Sequence, residues 1–448
     1  MIAQNRYERW LLFVGDIVAF FAALWLMLFV RYGSFDRNLF FQHLTPFSIL
    51  FVVWVIVFFV AGLYQKHTVI LKSRLPSILL NALVVNTVIA IAFFYFIPSF
   101  GIAPKTNLFI YLILSFPIIL LWRRYGYPII GARRKQNALL IGSGEELREL
   151  RDEVNHNSRY SIHFISSIDL DSLNPSDVQE EILKEVYEEG IQYIAIDMRN
   201  EKIVPVLPHL YNLIFSKVRF IDMHKIYEDI FDRVPLSLLQ YNWFLENISL
   251  TPKFTYDFLK RAMDIILSLP LFILSLPFYP IVWLLVFFDD KGTLFIKQER
   301  VGRNNRPVNI IKFRTMMRDD AGEYKNGAKN TLTRIGPFLR KSRIDELPQL
   351  LNVLRGDVSL IGPRPELPAL VKQYEEAIPY YNIRHLLKPG LSGWAQIHHE
   401  THPHHGVDVK ETKKKLSYDL YYIKNRSFVV DLEIALHTVR ELISRKGK

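Results

Sequence analysis

Four apolar segments crowd the first third of this 448-residue chain, near Trp10 to Val30, Phe47 to Leu63, Ile78 to Ile97 and Leu108 to Trp122. Each approaches the ~20 residues that a helix needs to cross a bilayer, so part of the chain is expected to fold in lipid. Cationic residues are sorted between the flanks. Arg6, Arg9, Lys66, Lys72, Arg74, Arg123, Arg124, Arg133, Arg134 and Lys135 fall on one side, against Arg31, Arg37 and Lys105 on the other. The positive-inside bias then puts the N-terminus and everything after Trp122 in the cytoplasm. The first segment is long and no small-residue cleavage pattern follows it, unlike a removable signal peptide. Asp16, near the cytoplasmic end of that segment, reads as a solvated or helix-paired carboxylate.

A chain of this length, half hydrophobic, has apolar material for membrane helices and soluble cores together, and three parts are expected. They are a four-helix transmembrane region over 1–126, a middle domain over 137–245 and a last domain over 253–448. The formal net charge of +11 suits anionic lipid headgroups and phosphorylated substrates. Nucleic acid is the weaker partner beside so much apolar sequence. The absence of cysteine excludes disulfides, thiolate catalysis and cysteine metal sites.

After the basic linker Arg133-Arg134-Lys135-Gln136, the run Ala138-Leu139-Leu140-Ile141 meets Gly142-Ser143-Gly144 and a helical stretch from Glu145 to Val154. Strand, tight turn and helix open a Rossmann-like unit. Apolar runs at Ile162 to Ile168 and Tyr193 to Asp197, separated by a helical Val178 to Glu189, extend it to a small parallel sheet. Leu147 stands where a dinucleotide fingerprint would carry its third glycine, so a structural or regulatory domain is placed ahead of nucleotide binding.

The stretch from Ile265 to Phe288 is also long enough to cross a bilayer. Crossing would strand the last domain on the far side from the middle one. Pro270, Pro277 and Pro280 each remove a backbone donor and favour a kink, so a helix that enters and turns back near 265–288 is preferred to a fifth span. Lys260, Arg261 and Asp264 are then expected at the headgroup level, as anchors, with Pro277 at the bend.

Chemistry is sought at Arg340-Lys341-Ser342-Arg343-Ile344-Asp345-Glu346-Leu347-Pro348-Gln349, where two adjacent carboxylates follow cationic side chains. Leu347, Leu350, Leu351 and Leu354, closed by Gly356, have helical spacing, and Pro348 pins the helix start near the dyad. Free N–H groups and the macrodipole there favour negative charge, lower a carboxylate pKa and welcome phosphate oxygens. A plain surface helix start is the alternative. Arg340, Lys312, Arg314, Arg364 and Lys388 are candidates to neutralise phosphates, with Mg²⁺; Arg364 is held between Pro363 and Pro365.

Taken in order, Lys260-Arg261-Ala262-Met263-Asp264, Lys312-Phe313-Arg314-Thr315-Met316, the dyad, Gly362-Pro363-Arg364-Pro365-Glu366 and Lys388-Pro389-Gly390-Leu391-Ser392-Gly393-Trp394-Ala395-Gln396 resemble the bacterial monotopic phosphoglycosyl transferases, the polyprenyl-phosphate sugar-1-phosphate transferases. The resemblance covers 253–448, and Tyr418-Asp419-Leu420-Tyr421-Tyr422 continues it. The rest is similar to the large subclass, with N-terminal membrane helices and a middle domain. It implies a membrane helical bundle plus α/β architecture, ending in a small α/β catalytic domain with a re-entrant helix. The family breaks that helix at a serine-proline pair, whereas this chain has Leu276-Pro277 with Ser275 one residue early.

The resemblance further implies that Asp345 takes the sugar phosphate of a UDP-sugar as a covalent intermediate and that UMP leaves. Polyprenyl (undecaprenyl) phosphate then accepts the sugar phosphate. Glu346 would help bind Mg²⁺ or accept a proton, so both carboxylates are candidate metal ligands. Gln396 would border the substrate site. The setting implied is the bacterial inner membrane, among membrane lipids and with a homodimer by analogy, at the start of surface glycan assembly such as exopolysaccharide, O-antigen or capsule.

His398, His399, His402, His404 and His405 replace a short Asn- or Arg-containing family loop and read as a solvated loop ahead of a metal site. The stripe Val429, Leu432, Leu436, Val439 and Ile443, with Arg440, Arg445 and Lys446 nearby, reads as a packing face with a membrane-facing edge. Two rivals are weighed. A membrane-bound nucleotide-sugar dehydratase or epimerase would use Tyr256-x-x-x-Lys260, and a non-catalytic scaffold for glycan assembly would not need the dyad.

Overall fold

The computed structural model describes residues 4–33, 37–64, 75–97, 104–126, 136–157, 160, 162–172, 182, 184–186, 189–216, 218–249, 251, 253–290, 292–316, 332–398 and 408–444. Two compact units divide the chain, Met1–Phe231 and Asp232–Lys448. Most of the helix expected over Val178 to Glu189, the linker Arg133-Arg134-Lys135 and all of the histidine run after His398 lie outside the described residues.

The first unit begins with four helices, α1 (Gln4–Tyr32), α2 (Arg37–Val60), α3 (Leu75–Phe96) and α4 (Pro104–Leu121), each long and apolar enough to cross a membrane. Phe20, Phe47, Phe51, Trp54, Phe58 and Tyr111 interlock in their shared core. Asp16 is the helix-paired carboxylate. It is fully buried against Arg123, whose Nε donates to Oδ1 at 3.0 Å while Nη1 donates to the Leu63 carbonyl at 2.7 Å. Arg123, counted from the sequence as a flanking cation, is therefore spent inside the bundle. Gly15 makes room for this corner: a Cβ there would fall 1.9 Å from the Trp122 ring.

Four parallel strands follow, β1 (Gln136–Gly142), β2 (Ile162–Asp169), β3 (Tyr193–Ile196) and β4 (Arg219–Asp222), in the order β2-β1-β3-β4. Both faces are covered by apolar side chains, as a near-continuous strand such as Ala138 to Ile141 demands. Gly142 ends β1 with no space to spare, since a Cβ would meet Met223 Sδ at 2.6 Å.

The second unit holds β5 (Phe295–Val301) and β6 (Pro307–Phe313), an antiparallel pair, and β7 (Ser359–Ile361) and β8 (Gly390–Ser392), a parallel pair. Gly362 and Gly390 permit that second pairing: a Cβ on Gly390 would lie 2.5 Å from the Ile361 carbonyl carbon, and one on Gly362 only 2.5 Å from the Lys388 carbonyl oxygen. Residues 232–245, grouped from the sequence with the middle domain, pack here instead. Val234, Leu238 and Trp243 are buried with Val371, Tyr374, Tyr381, Leu416 and Leu420, because their apolar surface finds its partners there.

The apolar stretch forms two helices, Phe254–Ser275 and Phe278–Asp290, bent by 54° at Leu276-Pro277. Of the three prolines, Pro277 falls at the break, Pro270 lies within the first helix and Pro280 in the first turn of the second. Ser275, displaced by one residue, still assists, its Oγ donating to the Phe272 carbonyl at 2.6 Å. The second helix lays Val282 and Val286 on Phe313 and Leu339, with Ile344 and Leu347 alongside, so the residues flanking the dyad rest on it.

Candidate active site

The dyad occupies a single 3-10 turn, Ile344–Glu346, between the helices Gly336–Lys341 and Gln349–Arg355. Arg343 enters it in the left-handed region at φ 53°, a conformation costing a non-glycine residue about 1 kcal/mol or more. Gly356 closes the following helix at φ 88°, as its position after Leu354 predicts. Asn352, on that helix and 1% exposed, works like a missing strand neighbour: its Oδ1 accepts from Ile311 N and its Nδ2 donates to Asn309 O. That grip on β6 brings Lys312 beside the dyad. No sequence signal singled out Asn352, because its partners lie some 40 residues upstream.

Glu346 receives two of the predicted cations. Arg364 Nη2 lies 3.0 Å from its Oε1 and Lys312 Nζ 3.9 Å from the same oxygen. Burial alone would raise the Glu346 carboxyl; the Arg364 and Lys312 charges outweigh it and hold the group down at about 2. Asp345 departs from the expected lowering. Burial pushes its carboxyl up to about 6 and the adjacent Glu346 charge adds to the rise, against Lys312 and Arg340. Among the described residues Asp345 makes no hydrogen bond to another side chain. Lys312 is lowered by burial, with Arg364 and Arg300 repelling it.

The other predicted residues divide. Arg340 remains close enough to act on the Asp345 charge, and its Nε donates to Thr315 Oγ1 at 3.0 Å. Arg314 points elsewhere: its Nε donates to the Thr293 carbonyl at 2.8 Å and its guanidinium lies over Gly292. β6 ends at Phe313, so the alternation that would set residue 314 beside Lys312 has already lapsed. Lys388 is exposed, its ammonium next to Gly356 and the Arg261 guanidinium rather than the dyad. Gln396 packs by Gly393, its Oε1 buried with no hydrogen-bond partner among the described residues.

Lys260, Arg261 and Asp264, expected as anchors, are bonded within the unit. Lys260 Nζ reaches Ile361 O and Asp431 Oδ2, both at 2.9 Å. Arg261 caps the helix after the dyad through the carbonyls of Val353 and Leu354, each at 2.7 Å. Asp264 Oδ1 accepts from Ser359 Oγ at 3.0 Å and Leu360 N at 2.9 Å. Buried charges require such partners, and β7 and the dyad helix supply them. Pro277 keeps its expected place at the bend. Trp394 is core, 4% exposed and stacked on Tyr421. His398 is half-buried rather than freely solvated: it packs on Trp394, and burial lowers its pKa.

Four membrane-length helices and a charged carboxylate site on a separate α/β unit define a membrane protein with an enzyme-like centre. Residues 255–445 match the bacterial sugar transferase family. A UDP-N-acetylgalactosamine-undecaprenyl-phosphate N-acetylgalactosaminephosphotransferase of Aeromonas hydrophila is 40% identical over 205 residues, 44% of this chain and 47% of that one. An undecaprenyl-phosphate glucose phosphotransferase of Komagataeibacter xylinus is 30% identical over 338 residues, 71% of this chain and 62% of that one. The exopolysaccharide production protein PSS of Rhizobium leguminosarum bv. phaseoli is 40% identical over 198 residues, 42% of this chain and 98% of that one. The chain belongs to the bacterial sugar transferase family. Its match spans about half the length of the Aeromonas relative and under two thirds of the Komagataeibacter one.

Proposed function

We propose that this protein transfers a sugar 1-phosphate from a UDP-sugar to polyprenyl phosphate, with Asp345 as the nucleophile. The observation that carries the reading is the contrast within the dyad. Glu346 is neutralised by Arg364 and Lys312, while Asp345 has a carboxyl held at about 6 and no side-chain hydrogen bond among the described residues. Such a group is ionised at neutral pH yet more basic, and so more nucleophilic, than an ordinary aspartate. An Asp345 oxygen would bond to the phosphorus bearing the sugar as the bond to the bridging oxygen breaks, and UMP leaves with that oxygen. A lipid phosphate oxygen then attacks the same phosphorus and returns the Asp345 carboxylate. Arg364 and Lys312 are aimed at the charge that develops on the phosphates.

Asp345 and the Glu346 oxygen not taken by Arg364 are the residues that would hold Mg²⁺. Two adjacent carboxylates, with Arg364 taking only Glu346 Oε1, fit an ion shared between one or two carboxylates and substrate phosphates. When bound, the ion neutralises phosphate charge.

The bent helix pair is read as re-entrant and the dyad as cytoplasmic. Both ends of the pair are bonded to one α/β body, through Lys260 to Ile361 and through Asp289, which accepts from Ile335 N at 3.2 Å. The four-stranded sheet is read as a Rossmann-like unit with a structural role, since Met223 fills the space above Gly142. The relatives named above differ in sugar, and glucose and N-acetylgalactosamine are the first donors to try.

The test is UMP release from a panel of UDP-sugars by the purified chain with Mg²⁺ and undecaprenyl phosphate. UMP together with a lipid-linked sugar phosphate, both lost in Asp345→Asn, is expected. Undiminished turnover in that variant, or no UMP from any donor by folded protein, overturns the reading.

A further inference from the structure

Arg364 reaches Glu346 from an arm whose backbone is tied at three carbonyls. Pro363 O accepts from Gly390 N at 3.0 Å, Arg364 O from Arg384 Nη2 at 2.9 Å, and Glu366 O from Val301 N at 2.9 Å. The middle tie is the unusual one, because it spends a buried guanidinium on a backbone oxygen. Arg384 is 2% exposed. Its Nη1 donates to the Tyr381 hydroxyl at 2.6 Å, and its Nη2 lies 2.8 Å from Asp419 Oδ2 and its Nη1 3.9 Å from Glu366 Oε1. Glu366 is paired in turn with Lys415. Apolar residues of similar volume would fill such a site at less desolvation cost, so the charges call for another reason.

The reason lies in the arm's own stereochemistry. Arg364 stands between two prolines, and a residue before proline is confined to extended backbone. Its ψ decides where its side chain leaves the chain, and the orientation of its carbonyl reports that ψ. Holding the carbonyl oxygen therefore aims the guanidinium 18 residues upstream, at Glu346.

We propose that Arg384, braced by Asp419 and Tyr381, is a positioning residue that pins the Arg364 carbonyl and so keeps the Arg364 guanidinium over the dyad. The proposal rests on the reading of the dyad as the donor phosphate site. Arg384→Lys keeps the charge but loses the planar fork that holds Tyr381 on Nη1 and the Arg364 carbonyl beside Asp419 on Nη2. Misaiming a phosphate-binding group is expected to lower kcat about a hundredfold with a much smaller change in KM.

A double-mutant cycle on the full-length chain in detergent separates this role from plain stability. It measures turnover of UDP-glucose or UDP-N-acetylgalactosamine, whichever the wild type accepts, for Arg384→Lys, Arg364→Ala and the pair. The expected result is a large kcat loss for each single variant and almost no further loss when Arg384→Lys is added to Arg364→Ala. Equal losses from Arg384→Lys in both backgrounds would make it a structural residue and overturn the proposal. An Arg364→Ala variant as active as wild type would overturn the donor-site reading itself. Should Arg384→Lys not fold, Tyr381→Phe removes one bond to Arg384 without touching charge, and the same cycle with additive losses overturns the proposal.

Discussion

Asp345 and Glu346 are neighbours in the chain and nearly opposite in chemistry, and their difference predicts a pH dependence. In the reaction proposed above Asp345 acts as the carboxylate, so protonation would remove the nucleophile. As pH falls through the Asp345 value of about 6, kcat/KM for the donor, which reports the free enzyme, is expected to fall with it. An acid midpoint near 4 would place the nucleophile elsewhere. Glu366, whose carboxyl is shifted the other way, gives a stability prediction. Burial would raise its carboxyl, but Lys415 and Arg384 hold it at about 2, below its unfolded value. Its contribution is therefore complete above about pH 4.5 and lost as pH falls toward 2, amounting to about 3 kcal/mol at neutrality. Glu366→Gln should cost about that much in denaturant unfolding at pH 7 and progressively less below pH 4. The dyad was legible as a charged helix start. That Asp345 runs high was not, since burial is a property of the packed unit, and neither was Arg314, whose strand ends one residue too soon.

Among the elements, α1 is joined to the π-helical turn Trp122–Gly126 that continues α4 by the Asp16–Arg123 pair, buried among Phe58, Tyr64 and the Leu63 carbonyl. Removing one partner leaves the other charge uncompensated. Asp16→Asn is expected to destabilise the helical bundle by about 3–5 kcal/mol, read as a lower unfolding midpoint in detergent, whereas Asp16→Leu with Arg123→Met should recover much of the loss. Recovery absent in the double variant would mean that the pair is not what holds the corner. All four helices were foreseeable, because apolar length is a local property of sequence. The bent pair was foreseeable as bent. Which proline bends it was not, because a helix tolerates Pro270 and Pro280 where neighbouring turns allow, and the break settles where Ser275 can satisfy a freed carbonyl.

At the scale of the molecule, the boundary between units falls at 231/232, not near 250. The Rhizobium relative is matched over 98% of its length by less than half of this chain, so the second unit resembles a protein that exists by itself. A chain beginning at Asp232 is expected to retain membrane association and donor turnover. One beginning at Lys253 loses Trp243, which is 1% exposed, and should be less stable by about 3–5 kcal/mol in thermal or denaturant unfolding. Equal stability of the two truncations would return residues 232–252 to the other unit. The sequence by itself determined the membrane helices, three of the four strands of the first parallel sheet, the family motifs and the carboxylate pair, because each is written in contiguous residues or in fixed local spacing. Only the tertiary structure decided which cations meet Glu346, which partners Lys260, Arg261 and Asp264 find, and that Arg384 bonds the Arg364 carbonyl. Those outcomes depend on side chains tens to more than a hundred residues apart, brought together when burial leaves a charge no partner but the one that packing supplies.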